Sequence, residues 1–297
     1  MFKTPIFKGS CTAIVTPFGD YGIDYDKMKE LIDFQYDNNT EALVVCGTTG
    51  ENATMTPYEQ EELVDFTCKY NDGRMKIIAG IGSNNTEKAL KNAKNARHYG
   101  ADGVLMVTPY YNKTSQKGLI EHFSYVADRV ELPMILYNVP SRTGMTIKPE
   151  TYKALSAHPS IVGVKEASGD ISLIAQIAAM CGNDLYIWSG NDDNTVAMMA
   201  LGALGVISVA SNIVPGAVAK LCQNCLEGKF SEANALYAKY ASLFSALFVE
   251  TNPIPVKTAM KLLGTDTGAL RLPLTSMSEE NYNYLRRVMS EAGLSIF

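Results

Sequence analysis

The stretch IVGVKEASGD, Ile161–Asp170, opens with four apolar or glycine residues, meets Lys165, and closes in small polar residues. A strand core rejects an unpaired ammonium, because burying a lone charge is expensive. The outline itself, an apolar run ending in small polar residues and followed by a helical stretch, recurs along the chain. It is present in CTAIVTPF (Cys11–Phe18), ALVVCGTTGE (Ala42–Glu51), KIIAGIGSNN (Lys76–Asn85) and GVLMVTPYYN (Gly103–Asn112). It returns in MILYNVPSRTG (Met134–Gly144), LYIWSGNDD (Leu185–Asp193) and GVISVASN (Gly205–Asn212), which makes eight runs with the first. Strands apolar on both faces that alternate with helices predict a parallel sheet covered by helices. Eight such units predict an α/β fold, a (β/α)8 TIM barrel.

The intervening segments carry helix signals. Asp24 is placed to cap a helix whose apolar residues are Met28, Leu31, Ile32 and Phe34. Thr56, Pro57 and Glu59 have the spacing of a capping box with proline at the first helical position. Gly100 reads as the C-terminal cap of the helix before it. After Leu226 three helical segments follow with no strand between them. The chain therefore divides into a barrel carrying the active site, residues 1–227, and a C-terminal three-helix extension, residues 228–297.

Composition narrows the function. Of 297 residues 46% are hydrophobic and 19% charged, enough for one large domain, two smaller ones, or a barrel with an extension. The formal net charge is −5 and no basic tract occurs, so nucleic acid and anionic membrane are poor partners. The N-terminus shows no apolar signal-peptide core. The longest nearly apolar run, Val196–Ala210, is shorter than the roughly 20 residues of a spanning helix and is divided by Gly202 and Gly205. A soluble, cytoplasmic protein is expected. The six dispersed cysteines read as reduced, mostly buried thiols. Cys222 and Cys225 form a C-x-x-C, but no second pair or nearby histidine accompanies them. Their spacing puts both on one face of an amphipathic helix.

Barrel active sites lie at the C-terminal strand ends. Strand alternation puts Gly163, Lys165 and Ala167 on one face and Val162, Val164 and Glu166 on the other. Lys165 is then expected at the barrel mouth, with space for a ligand beside its small neighbours. Desolvation favours the neutral form of an amine, and a neutral amine attacks carbonyl carbon to give a Schiff base. The rival reading pairs Lys165 with Glu166. Tyr137, at another strand end, is a proton donor and acceptor or a packed core aromatic. Arg142 offers a fork for a carboxylate or is a solvated loop residue. Thr48 and Thr49, bracketed by glycines, suit a carboxylate or a phosphate, and the P-loop pattern is missing. Tyr110 and Tyr111 close another strand. Gly80 and Gly82 lack the third glycine of a dinucleotide fingerprint. His98, His122 and His158 lie away from the strand ends, so no metal set is evident. The inventory suits imine chemistry on a keto acid without a cofactor.

GTTGE, TPYYNK, YNVPSRTG, GVKEASGD, SGNDD, GVISVASN and TNPIPVKTA, in that order through nearly the whole chain, resemble the dihydrodipicolinate synthase family. That family belongs to the pyruvate-dependent class I aldolases and lyases, alongside N-acetylneuraminate lyase. The resemblance implies that Lys165 attacks the keto carbon of pyruvate and that Thr49 holds the pyruvate carboxylate. It implies that Tyr137 moves protons with Thr48 and Tyr111, the last reaching in from a neighbouring subunit. Arg142 would bind the carboxylate of L-aspartate 4-semialdehyde, and Gly190 and Ile207 would offer backbone contacts. The implied product is (4S)-4-hydroxy-tetrahydrodipicolinate, the branch point toward diaminopimelate and lysine. A lyase or aldolase for a sugar-derived keto acid is the alternative, and the SRTG loop and second tyrosine of TPYYN speak against it. A keto-acid binder without catalysis would need the threonines and arginine but not Lys165 and its proton path.

The resemblance also implies a homotetramer built from two tight dimers. Where members of the family are inhibited by lysine at the tight-dimer interface, the matching positions here are Asn52, Ala53, Pro57, Gln60, Asn84, Lys88 and Tyr110. Sensitive members tend to carry histidine where this chain has Gln60 and glutamate where it has Lys88. Weak or absent inhibition by lysine is expected.

Overall fold

The computed structural model describes residues 3–297. Eight parallel strands close a barrel: β1 (Gly9–Ala13), β2 (Ala42–Val45), β3 (Lys76–Gly80), β4 (Gly103–Val107), β5 (Met134–Asn138), β6 (Ile161–Glu166), β7 (Tyr186–Ser189) and β8 (Gly205–Ser208). Each strand pairs with the next, and β1 pairs with both β8 and β2, so the sheet has no free edge. The fold predicted from the eight apolar runs is the fold observed. Around it lie α1 (Tyr25–Asp37), α2 (Pro57–Asn71), α3 (Thr86–His98), α4 (Gln116–Val130), α5 (Pro149–Ser156), α6 (Ile171–Cys181), α7 (Thr195–Ala200) and α8 (Pro215–Leu226). Three further helices follow: α9 (Phe230–Ala246), α10 (Ile254–Leu262) and α11 (Glu279–Glu291).

Local sequence accounts for the helix starts. Asp24 accepts from the Lys27 amide at the head of α1. Thr56 and Glu59 form the reciprocal capping box of α2, with Pro57 at its first turn. The observed cap of α3 is Tyr99, one place before the predicted Gly100, which follows it at φ +87°. Phe34 is exposed rather than buried, and Gln35 takes the inward place at the helical spacing from Met28, Leu31 and Ile32. Its amide is hydrogen-bonded at both ends, accepting from Thr12 and Thr40 and donating to the Ser211 carbonyl. Cys222 and Cys225 share the buried face of α8, and all six thiols are free.

Two apolar clusters result. One fills the space between strands and helices. The other fills the barrel itself, with Cys11, Val44, Ile78, Leu105, Ile135, Trp188 and Ile207. Phe7 stacks on Trp188 at 5.0 Å between ring centres. Val162, expected on the helix face, belongs to the barrel interior. The register between β5 and β6 shifts at that point: Met134 faces Ile161, and Ile135 faces Gly163. The extra residue breaks the alternation, as a bulge does. Among the described residues no helix is long and apolar enough to cross a membrane.

Candidate active site

The strand ends converge on a cleft of about 530 Å3. Thr48, Thr49, Tyr137, Arg142, Lys165 and Gly190 line it, six of the eight residues assigned catalytic or substrate-binding places from the sequence. Lys165 is 5% exposed, and its Nζ lies 4.6 Å from the centre of the Tyr137 ring. The two are direct register partners on β5 and β6. Among the described residues no carboxylate lies within salt-bridge distance of Lys165. Glu166 points to the other face, where it accepts from Asn138, Tyr152 and Ser168. Pairing of the two neighbours is therefore excluded.

Glycine shapes this wall in a way the sequence reading did not foresee. Gly163 does not leave an opening beneath Lys165. A Cβ there would lie 2.4 Å from Cζ3 of Trp188 and 2.5 Å from the Tyr186 carbonyl. The indole fills the space, and Lys165 stands on an aromatic floor. The opening lies above, where Ala167 lines the cleft. At Gly190 a Cβ would meet that of Ala167 at 2.6 Å, while the Gly190 amide donates to the Glu166 carbonyl at 2.8 Å. The ends of β6 and β7 approach too closely for a side chain there.

Thr49 is 3% exposed, and its hydroxyl accepts from Asn252 Nδ2 at 2.9 Å. Arg142 sits in a single helical turn, Pro140–Thr143, and donates to the Asn252 carbonyl at 3.0 Å. Asn252 thus bridges the two groups suited to carboxylates. It is 5% exposed, lines the cleft, and its Oδ1 has no hydrogen-bond partner. Its segment, TNPIPVKTA, carries no sequence signal that assigns Asn252 a role. It lies between α9 and α10, where no periodicity marks it. The same segment, Phe248–Asn252, supplies one wall of the cleft.

Two expected residues stand elsewhere. Ile207 is fully buried inside the barrel, and Val209 lines the cleft in its place. The strand ends at Ser208, and Val209 turns into αR geometry. Tyr111 does not line the cleft of its own chain; it is 92% exposed and held at φ +67°. Tyr110 is 40% exposed. Asn52 and Ala53 lie in a 3-10 turn, whose Asn52 carbonyl accepts from Gln60 Nε2 at 2.7 Å. Asn84 accepts from Asn112, and Lys88 is exposed on α3. His122 contacts Thr86 and His158 contacts Asp128. Among the described residues no set of three acidic, histidine or cysteine side chains gathers as a metal site.

A closed parallel barrel with a buried lysine against a tyrosine at its mouth, and a hydroxyl and a guanidinium beside them, is an arrangement that suits a Schiff-base lyase of class I. The model of the dihydrodipicolinate synthetase family matches residues 6–292. The 4-hydroxy-tetrahydrodipicolinate synthase of Thermoanaerobacter sp. (strain X514) is 50% identical over 291 residues, covering 98% of each chain. Dihydrodipicolinate synthase from Aquifex aeolicus superposes with a TM-score of 0.95 at 46% identity, over 98% of this chain and 99% of that one. The chloride-inhibited enzyme from Acinetobacter baumannii, solved with pyruvate, gives a TM-score of 0.95 at 39% identity, over 97% and 99% of the two chains. The chain belongs to the dihydrodipicolinate synthetase family. It is a lyase, and its activity is that of a 4-hydroxy-tetrahydrodipicolinate synthase of lysine biosynthesis.

Proposed function

We propose that Lys165 forms the imine with pyruvate and that the cleft then condenses it with L-aspartate 4-semialdehyde. The observation that carries this reading is the buried Lys165 Nζ, 4.6 Å from the Tyr137 ring centre and free of any carboxylate within 4 Å among the described residues. Its amine adds to the keto carbon, and water leaves as the iminium forms. Thr49 holds the pyruvate carboxylate. The iminium acidifies the methyl group, and loss of one proton gives the enamine. The enamine carbon attacks the aldehyde, whose oxygen takes up a proton. The substrate amine then adds to the imine carbon, expels Lys165 and closes the six-membered ring.

Tyr137 moves protons in these steps, with Thr48 and with Tyr111 of a neighbouring subunit. No hydrogen bond joins Thr48 to Tyr137 within one chain among the described residues, and the exposed Tyr111 is available to complete the path in a second chain. Arg142 receives the carboxylate of the semialdehyde. Gly190 presents backbone at the wall, and the backbone contact expected of Ile207 falls instead to Val209, which lines the cleft. The assembly is a homotetramer of two tight dimers acting in the cytoplasm, with Asn52, Ala53, Asn84, Lys88 and Tyr110 at the tight interface. Residues 1–227 act as the barrel unit and 228–297 as its helical extension.

Borohydride reduction with pyruvate tests the reading. The intact mass gains one reduced pyruvate, and peptide mapping places it on Lys165. No adduct, or an adduct elsewhere, overturns it. A coupled assay with aspartate semialdehyde against one with a sugar-derived keto acid separates synthase from lyase.

A further inference from the structure

Behind the cleft, on the helix side of the sheet, lies a buried carboxylate to which the chemistry above gives no task. Glu166 is 1% exposed. It accepts from the Tyr152 hydroxyl at 2.7 Å, from Asn138 Nδ2 at 2.9 and 3.0 Å, and from the Ser168 amide at 2.8 Å. Among the described residues no cation lies within salt-bridge distance of it. A buried carboxylate without a counter-charge persists only where hydrogen bonds replace its water. Asn138 Nδ2 and the Ser168 amide can only donate, so they match the ionised, acceptor-only form. Burial pushes the Glu166 carboxyl up, and the Tyr152, Ser168 and Asn138 donors offset only part of that rise. Burial also holds the Tyr152 phenol well above its usual range, which keeps it a donor.

The position of this cluster gives it a use. Tyr137 faces Lys165 across β5 and β6, and one residue further on Asn138 faces Glu166. Successive strand residues point to opposite faces. The Asn138–Glu166 contact therefore fastens, from the back, the two strands that present the reacting pair at the front. Asn138 also uses its other end. Its Oδ1 accepts from the Ile147 amide at 3.2 Å, closing the arc that carries Arg142. The segments bearing Tyr137, Lys165 and Arg142 thus meet in one fixed polar cluster outside the cleft.

We propose that Glu166, acting with Asn138, is a positioning residue that holds Lys165 against Tyr137 and fixes the arc bearing Arg142. This rests on Lys165 being the imine-forming residue. A cluster serving stability alone would change unfolding without changing the chemistry. A positioning cluster changes the rate of imine formation, and Asn138 also changes capture of the second substrate.

The test uses the full-length enzyme carrying Glu166→Gln, Asn138→Ala or Tyr152→Phe. Gln is nearly isosteric but sets an amide donor against groups that donate. In folded Glu166→Gln, borohydride trapping at saturating pyruvate slows about tenfold or more, as misplacement of a reacting group requires. Tyr152→Phe removes one donor and leaves the Asn138 contact, so trapping slows by only about threefold. Asn138→Ala raises KM for the semialdehyde more than KM for pyruvate. Wild-type trapping by Tyr152→Phe overturns the proposal whether or not Glu166→Gln folds. So do wild-type trapping by folded Glu166→Gln and an unchanged KM ratio in folded Asn138→Ala. Failure of the wild-type protein to trap pyruvate on Lys165 would instead remove the reading beneath it.

Discussion

Asn252 donates to the Thr49 hydroxyl across 2.9 Å, joining two residues 203 positions apart in the chain. The bond fastens the wall between α9 and α10 to the loop after β2, and the carboxamide oxygen of Asn252, Oδ1, is left unpaired beside the cleft. Replacing Asn252 with alanine frees Thr49 and removes the carboxamide from the pocket. A neutral hydrogen bond of this kind contributes about 1 kcal/mol. The expected outcome is a rise of about fivefold in KM for pyruvate with a smaller fall in kcat. Steady-state kinetics with each substrate varied in turn reads the split.

A second tie between the barrel loops and the C-terminal helices is ionic. Lys257 Nζ lies 2.7 Å from Glu51 Oε1, with the two side chains 4% and 0% exposed. The other Glu51 oxygen accepts from the Arg271 amide, and the ammonium stands over the Phe18 ring at 4.7 Å. Burial pulls the Lys257 ammonium down, and Glu51 opposes that shift. Lys257→Met leaves a buried carboxylate without its cation, which costs about 3–5 kcal/mol. Adding Glu51→Gln to that variant recovers part of the loss, because no lone charge then remains. Denaturant unfolding of the two single variants and the double variant measures the coupling, and strict additivity would refute it.

These two contacts mark the limit of what the sequence disclosed. Seven of the strand ends were readable because the apolar run stops at glycine, threonine, asparagine or serine, a change that needs no tertiary information. Lys165 was readable because an ammonium in an apolar strand is energetically conspicuous. Val162 was misplaced because a register shift between β5 and β6 is set by pairing, which leaves no local signal in the strand. Gly163 was read as a space when it is the seat of Trp188, 25 residues later in the chain. Asn252 and Lys257 act across more than 200 positions, and their own segment differs little from any helix start. The domain boundary read after residue 227 hides the fact that Phe248–Asn252 forms a wall of the cleft.

Tyr111 gives a prediction about assembly. Its side chain is 92% exposed on a left-handed backbone and misses the cleft of its own chain. Tyr111→Phe alone is expected to lower kcat by about 100-fold or more, the range of a lost proton-transfer group. Lys165→Ala is expected to be inactive. Mixing and refolding the two variants together restores activity, because one chain of a mixed pair then combines an intact Lys165 with an intact Tyr111 from its partner. No recovery in mixed oligomers, confirmed as mixed by native mass spectrometry, would show that Tyr111 serves only its own chain.

Lysine is expected to inhibit weakly or not at all. Gln60 is tied to the Asn52 carbonyl, and the exposed Lys88 ammonium repels a second ammonium arriving nearby. Potent inhibition by submillimolar lysine in the coupled assay would contradict this. Lys88→Glu reverses the sign of the local charge and should increase whatever sensitivity exists.

The last prediction concerns acid. His122 is 8% exposed, its Nδ1 meets the Thr86 hydroxyl at 2.9 Å, and its Nε2 is buried without a partner. Burial lowers its pKa from 6.5 to about 4. In the unfolded chain the imidazole takes its proton near its ordinary value, so the unfolded state binds more protons over the interval between. Stability contributed by the neutral ring is therefore fully present above about pH 6.5 and is lost as pH falls toward about 4. The loss is on the order of 3 kcal/mol. His122→Gln keeps a polar group against Thr86 but does not titrate. Its unfolding free energy should vary less than that of the wild-type protein between pH 6.5 and 4, and equal slopes for the two proteins would assign the acid sensitivity to other groups.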